Sequence, residues 1–112
     1  MKPGPLADRV YVAHMLECIT RVLHYTAEGE PAFRQSPLIQ DAVIRNLQVM
    51  AESSQRLSDA AKTSASAVPW RALAGFRNIV VHDYLSLDLD AIWSVIESDL
   101  PLLQQALQQL KE

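Results

Sequence analysis

Between Arg77 and Tyr84 the chain reads RNIVVHDY: an arginine, an amide, a histidine, a carboxylate and a phenol around three β-branched residues. Arginine and histidine together suit cleavage of an RNA phosphodiester. Histidine can take a proton from a 2′-hydroxyl or return one to the leaving oxygen, because its pKa lies near working pH. Arginine presents a fixed fork of donors to phosphate oxygens as charge builds on them. This chemistry calls for no metal and no cofactor.

On a helix, at 100° per residue, Asn78 and His82 lie one turn apart on one face. Arg77 and Tyr84 share another face, two turns apart. Arg77 and His82 are offset by about 140°. They converge on one group only if the helix loosens near His82 or if two chains share a cleft. A two-fold dimer would bring two arginines and two histidines together, since each subunit presents the same patch to the other. A capped helix end with surface charges fits the same eight residues.

The elements that must position this stretch are helical, and no run reads as a convincing strand. A first helix is expected over 6–28, with Leu6, Val10, Ala13, Ile19, Val22 and Leu23 at helical spacing and Met15 and Leu16 broadening the stripe. Gly29 is placed to end it, and Pro31 to block its continuation. GEPAFRQS then reads as a loop with Phe33 tucked inward. Ser36 and Pro37 form an N-cap and first-turn pair that opens a second helix, reaching about Lys62. Its apolar face is Ile39, Ala42, Val43, Leu47, Met50, Ser54, Leu57 and Ala61, with Arg45, Glu52 and Arg56 outside that stripe.

TSASAV is a connector. Pro69 opens a third helix to about Leu85, which carries the reactive stretch. Trp70, Leu73, Ala74, Val80 and Val81 are its expected buried side, and Gly75 implies a close helix approach. Ser86 or Asp88 caps a fourth helix. Its stripe of Leu89, Ile92, Trp93, Ile96, Leu100, Leu103, Leu107 and Leu110 is interrupted by Pro101, where a kink or break is expected. The last turns, QQALQQL, are expected to pack within the bundle. Four helices with short connections imply an all-α antiparallel bundle forming one domain over 1–112.

The remaining composition narrows the function. With 112 residues, 49% hydrophobic and 21% charged, the chain reads as one soluble globular domain. Its three glycines are scattered, so no phosphate-cradling loop is present, and one cysteine with three separated histidines gives no zinc spacing. His14 and His24 read as ordinary partly exposed histidines, and no Ser-His-Asp order emerges. The formal charge of −3 argues against a broad phosphate-tracking surface but leaves room for a small arginine site. Cys18 reads as a small core residue. No apolar run suits a membrane span or a secretory leader, so a reducing cytoplasm is expected.

The pattern Arg77-x4-His82-x-Tyr84 resembles the R-x4-H-x-Y signature of HepT-like proteins. These are HEPN-superfamily ribonuclease toxins paired with minimal nucleotidyltransferase antitoxins of the MntA type. The block PWRALAGFRNIVVHDY and the preceding AVIRNLQVMAESSQRLS are both similar to that family, as are IW at Ile92 and DLP from Asp99. MAES, from Met50, departs from the many relatives with a glycine before the glutamate, which is expected to alter packing and not chemistry.

The resemblance implies a four- to five-helix HEPN bundle, dimeric, with the motifs of two subunits facing each other. The protein would be the toxin of a type VII toxin–antitoxin system, an endoribonuclease acting on mRNA or tRNA. Arg77 and His82 would be the catalytic pair. Asn78 would orient His82 or bind phosphate, and Asp83 would support the site as a solvated carboxylate or an antitoxin contact. Tyr84 would be the hydroxyl that the nucleotidyltransferase modifies with AMP. Arg71 would make a surface salt bridge or a further phosphate contact. Two other readings share this sequence: a non-catalytic HEPN module that binds nucleotide or a nucleotidyltransferase, and a purely structural helical dimerisation unit.

Overall fold

A computed structural model of the chain describes residues 4–71, 73 and 88–111. Among the described residues six α-helices have both ends defined: α1 (Pro5–Tyr25), α2 (Glu30–Gln35), α3 (Pro37–Gln55), α4 (Asp59–Ser64), α5 (Leu89–Ser94) and α6 (Leu100–Lys111). A π-helical turn, Val95–Asp99, joins α5 to α6. Among the described residues there is no strand, and no helix is long and apolar enough to cross a membrane. The described residues thus form the all-α bundle that the sequence implies.

The main pairing is α1 against α3, with α6 closing on α1. The pair is antiparallel: Asp8 near the start of α1 meets Ser58 beyond the end of α3, and His14 meets Ser53. Val12, Met15, Cys18, Ile19 and Val22 from α1 meet Val43, Leu47 and Met50 from α3 in a single core. Ile92, Ile96, Leu100, Leu103 and Leu107 complete it, so the last turns do pack within the bundle.

The first half of α1 is rotated from expectation. Leu6 is 74% and Val10 47% exposed. Position 8 belongs to the face that continues through 12, 15, 19 and 22, and Asp8 occupies it as a polar ligand for Ser58. The carboxylate accepts the Ser58 backbone N–H at 2.8 Å and its hydroxyl at 2.6 Å. That leaves Leu6 and Val10 on the outside.

Four further expectations are corrected. The loop GEPAFRQS contains α2, and Gly29 is its N-cap at φ 99 rather than the end of α1, which stops at Tyr25. Pro31 therefore starts a helix, since a first-turn proline sacrifices no intrahelical bond. Phe33 is fully buried, as expected. The second helix is two helices: α3 ends at Gln55, and Ser58 caps α4 by accepting the Ala61 N–H at 3.1 Å. The serine hydroxyl offers the backbone an alternative to helix continuation.

The caps at Ser36 and Asp88 form as expected, accepting from Ile39 at 3.2 Å and Ala91 at 3.0 Å. The disturbance around Pro101 is a widened turn. Proline has no N–H for the Glu97 carbonyl and would crowd it. The turn just ahead is π-helical, and the Leu100 N–H bonds to the Val95 carbonyl five residues back.

Candidate active site

Arg77, Asn78, His82, Asp83 and Tyr84 lie outside the described residues, as do Ala74, Gly75, Val80, Val81 and Ser86. What the structure defines is how the chain is held immediately before and after that stretch.

Before it, the chain leaves α4 and turns through Ala65 to Val68. The Val68 N–H bonds the Ala65 carbonyl at 3.0 Å, and Val68 itself is buried. Residues 70, 71 and 73 are helical, and the Leu73 N–H bonds the Pro69 carbonyl at 3.1 Å, closing the first turn. Proline suits this start because its fixed φ is already helical.

Trp70 locks the turn in place. Its indole N–H is shared between the carbonyls of Lys62, at 3.1 Å, and Ala65, at 3.2 Å. These carbonyls belong to the last turn and C-cap of α4. Trp70 is half-buried and Leu73 buried, as expected of the inner face. Arg71 points outward and is exposed. Across from Val68, Pro69 and Leu73 stand Leu100, Leu103 and Ala106 of α6, around an apolar hollow of about 320 Å³.

After the stretch, Asp88 caps α5 and the chain is fastened to α2. Arg34 bonds Glu30 at 2.8 Å on its own helix and reaches Asp90, 56 residues along the chain. The hydrogen bonds that the guanidinium donates to Asp90 and then to Glu30 raise its pKa above the ordinary value. Beneath this pair, the Phe33 ring packs on Trp93 with centroids 5.5 Å apart. The Trp93 N–H donates to Glu97 at 3.0 Å. α2 is in turn held by a buried side chain of α3: the Gln40 amide donates to the carbonyls of Phe33 and Arg34 at 3.0 and 3.1 Å.

Sequence reading missed these supports. Trp70 was visible as a helix-start aromatic, but its N–H partners lie on another helix. Gln40 stands beside the apolar stripe of α3 and carries no sequence signal of its role. The two described histidines are both exposed: His14 contacts the Ser53 hydroxyl at 3.4 Å, and His24 meets the Tyr25 ring edge-on. Among the described residues no group of three or more histidine, cysteine or acidic side chains is placed to hold a metal ion.

The family described as ribonuclease HepT-like matches residues 15–110, which takes in α1 from Met15, both supports and all of the stretch between them. The chain belongs to the HepT-like ribonuclease family. Among relatives of this HepT-like chain, the "probable ribonuclease HepT" of Thermococcus cleftensis is 30% identical over 91% of the chain and 94% of the relative. A "putative RNase" of Caldanaerobacter subterraneus is 29% identical over 91% of the chain and 92% of the relative. A Methanocaldococcus jannaschii protein named "gamma-glutamylcyclotransferase and putative RNase" is 30% identical over 93% of the chain, which spans only 47% of that relative. No solved structure matches the HepT-like chain.

Proposed function

We propose that this HepT-like chain, acting as one domain, is a metal-independent endoribonuclease and the toxin of a toxin–antitoxin pair. The observation that carries the reading is the R-x4-H-x-Y spacing at Arg77, His82 and Tyr84 within a chain that the ribonuclease family matches over residues 15–110. Relatives named as ribonucleases along nearly their whole length support it.

In this reading two subunits face each other and their motifs share one cleft. That removes the 140° offset between Arg77 and His82 on a single helix. One His82 takes the proton of the 2′-hydroxyl, whose oxygen attacks the adjacent phosphorus. The other gives a proton to the departing 5′-oxygen. The products are a 2′,3′-cyclic phosphate and a 5′-hydroxyl end. Arg77 stabilises the charge on the non-bridging oxygens. Asn78 orients His82 or binds phosphate, and Asp83 supports the site as a solvated carboxylate or an antitoxin contact. The substrate is mRNA or tRNA in the cytoplasm.

Tyr84 is the point of control. A cognate nucleotidyltransferase of the MntA type transfers AMP from ATP to the Tyr84 oxygen, releasing pyrophosphate. The added phosphate then lies beside Arg77 and His82, occupies the arginine fork, and blocks RNA. The fold is left alone.

Growth on induction of the chain, without and with the nucleotidyltransferase, tests the pairing. Arrest by the parent, relief by the transferase, and no arrest by folded Arg77→Ala or His82→Ala are expected. Relief that persists with Tyr84→Phe would contradict the AMP step. Arrest by both alanine variants would contradict the assigned pair.

A further inference from the structure

Arg71 and Lys62 are cations without anionic partners. Arg71 is exposed and Lys62 half-buried. Among the described residues the ion pairs belong to Arg21 and Arg34, and no hydrogen bond or ion pair engages the side chain of Lys62 or Arg71. Asp59, in the first turn of α4, and Asp99, which borders the same hollow as Pro69, are exposed and bond neither cation. Of the two roles expected of Arg71, the surface salt bridge is therefore not formed, and the phosphate contact is left.

Trp70 joins the two cations. Its indole N–H bonds the backbone carbonyl of Lys62 at 3.1 Å, and Arg71 follows it directly in the chain. Both cations thus project from backbone that adjoins one indole. The ring packs against the core yet stays partly exposed. It is also fixed in place. Its N–H is shared with the Ala65 carbonyl at 3.2 Å, Val68 is buried just before it, and the Leu73 N–H closes the turn onto the Pro69 carbonyl at 3.1 Å. A side chain already held in this way loses little further freedom when a ligand arrives.

An aromatic ring beside free cations suits single-stranded nucleic acid: a base stacks on the ring and the cations meet the backbone phosphates. A duplex keeps its bases stacked on one another and offers only its phosphates. With a net charge of −3, the chain suits a short contact of this kind better than a long phosphate track.

We propose that Lys62, Trp70 and Arg71 form a binding site for single-stranded RNA, outside the Arg77–Tyr84 stretch. One base stacks on the exposed part of the Trp70 indole, and Lys62 and Arg71 bind the phosphates on either side of it. The choice of RNA rests on the proposed ribonuclease function.

The test measures binding of a labelled single-stranded oligoribonucleotide to the full chain by fluorescence anisotropy, in a His82→Ala background that leaves the RNA uncut. Lys62→Ala, Arg71→Ala and the double variant are compared with that background across a salt series, with melting curves showing that each is folded. Arg21→Ala is the control, because it removes the same charge from an exposed position on α1. The second readout is Trp70 emission, isolated by Trp93→Phe, since Trp70 and Trp93 are the two tryptophans. Each single variant is expected to weaken binding about three- to ten-fold at low salt and to flatten the log–log salt slope by about 0.7, the share of one phosphate on a single strand. The double variant flattens it by about twice as much. Arg21→Ala changes neither quantity. RNA quenches Trp70 emission, and duplex RNA of the same sequence competes poorly.

Unchanged affinity and salt slope in both single variants overturn the proposal. So does Trp70 emission that saturating RNA leaves unaltered, or duplex RNA that competes as well as the single strand. A parent that binds RNA through Lys62 and Arg71 but does not cut it overturns the catalytic reading and leaves this site standing. A parent that binds no RNA overturns both.

Discussion

The indole N–H of Trp70 reaches the carbonyl of Lys62 at 3.1 Å, so the helix turn that leads to Arg77 is tied to the last turn of α4. This bond and its companion to Ala65 add a second donor to carbonyls that already accept the backbone N–H groups of Ala65 and Val68. Trp70→Phe keeps the ring and deletes the donor. It is expected to cost roughly 1 kcal/mol of stability, the usual net worth of one hydrogen bond. A larger cleavage loss than unfolding explains, in denaturant titrations run beside activity assays, would show the tie acting on the site. Unaltered stability and activity would remove Trp70 from the account.

The Asp8–Ser58 contact joins the start of α1 to the cap of α4. Both carboxylate oxygens accept, at 2.8 Å from the backbone N–H and 2.6 Å from the hydroxyl. Hydrogen bonds to a charged acceptor contribute roughly 1.5–3 kcal/mol. Asp8→Ala is therefore predicted to lower unfolding free energy in that range, measured by urea titration at neutral pH. Leu6→Lys, by contrast, is expected to be nearly neutral: a 74% exposed leucine there should be replaceable within about 0.5 kcal/mol.

Phe33 should be the most costly truncation in α2. It is fully buried and packs against the Trp93 ring at a tilt of 37°. Phe33→Ala is expected to lose about 3–5 kcal/mol. Leu38→Ala, five residues on but 80% exposed, should leave the melting temperature nearly unchanged. Equal losses for the two would contradict the burial of α2 against α5.

Cys18 is buried, and desolvation raises its thiol pKa above the ordinary 9.0, with Arg21 opposing and Glu17 adding to the rise. The thiolate is the reactive form. Native protein at pH 8 should thus resist iodoacetamide and react on addition of denaturant. A raised pKa in the folded chain contributes stability that is present below the unfolded pKa and is lost as pH rises through the folded one. Cys18→Ser should flatten that decline at alkaline pH.

The long elements were readable because periodicity and capping agree in them. Ser36, Pro37 and Asp88 mark helix starts by local chemistry alone, and the α3 and α6 stripes follow from spacing. α2 was hidden because six residues are too few for a period, and Gly29 and Pro31 read as breakers when they open the helix. The break at Ser58 was legible only as a serine followed by an aspartate. The carboxylate that makes it a junction comes from Asp8, fifty residues away. Likewise, R-x4-H-x-Y identifies candidate chemistry from one segment, whereas its supports at Trp70, Arg34 and Gln40 depend on contacts between segments.

We propose that His82 cleaves RNA without a metal ion. The direct measurement is cleavage of mRNA and tRNA by the purified chain in excess EDTA, with His82→Ala prepared alongside and intact mass showing Tyr84 free of AMP. Cleavage by the parent, with 2′,3′-cyclic phosphate ends, and none by folded His82→Ala is the expected result. Intact RNA after incubation with a folded, unmodified parent would contradict it and favour a module that only binds its nucleotidyltransferase.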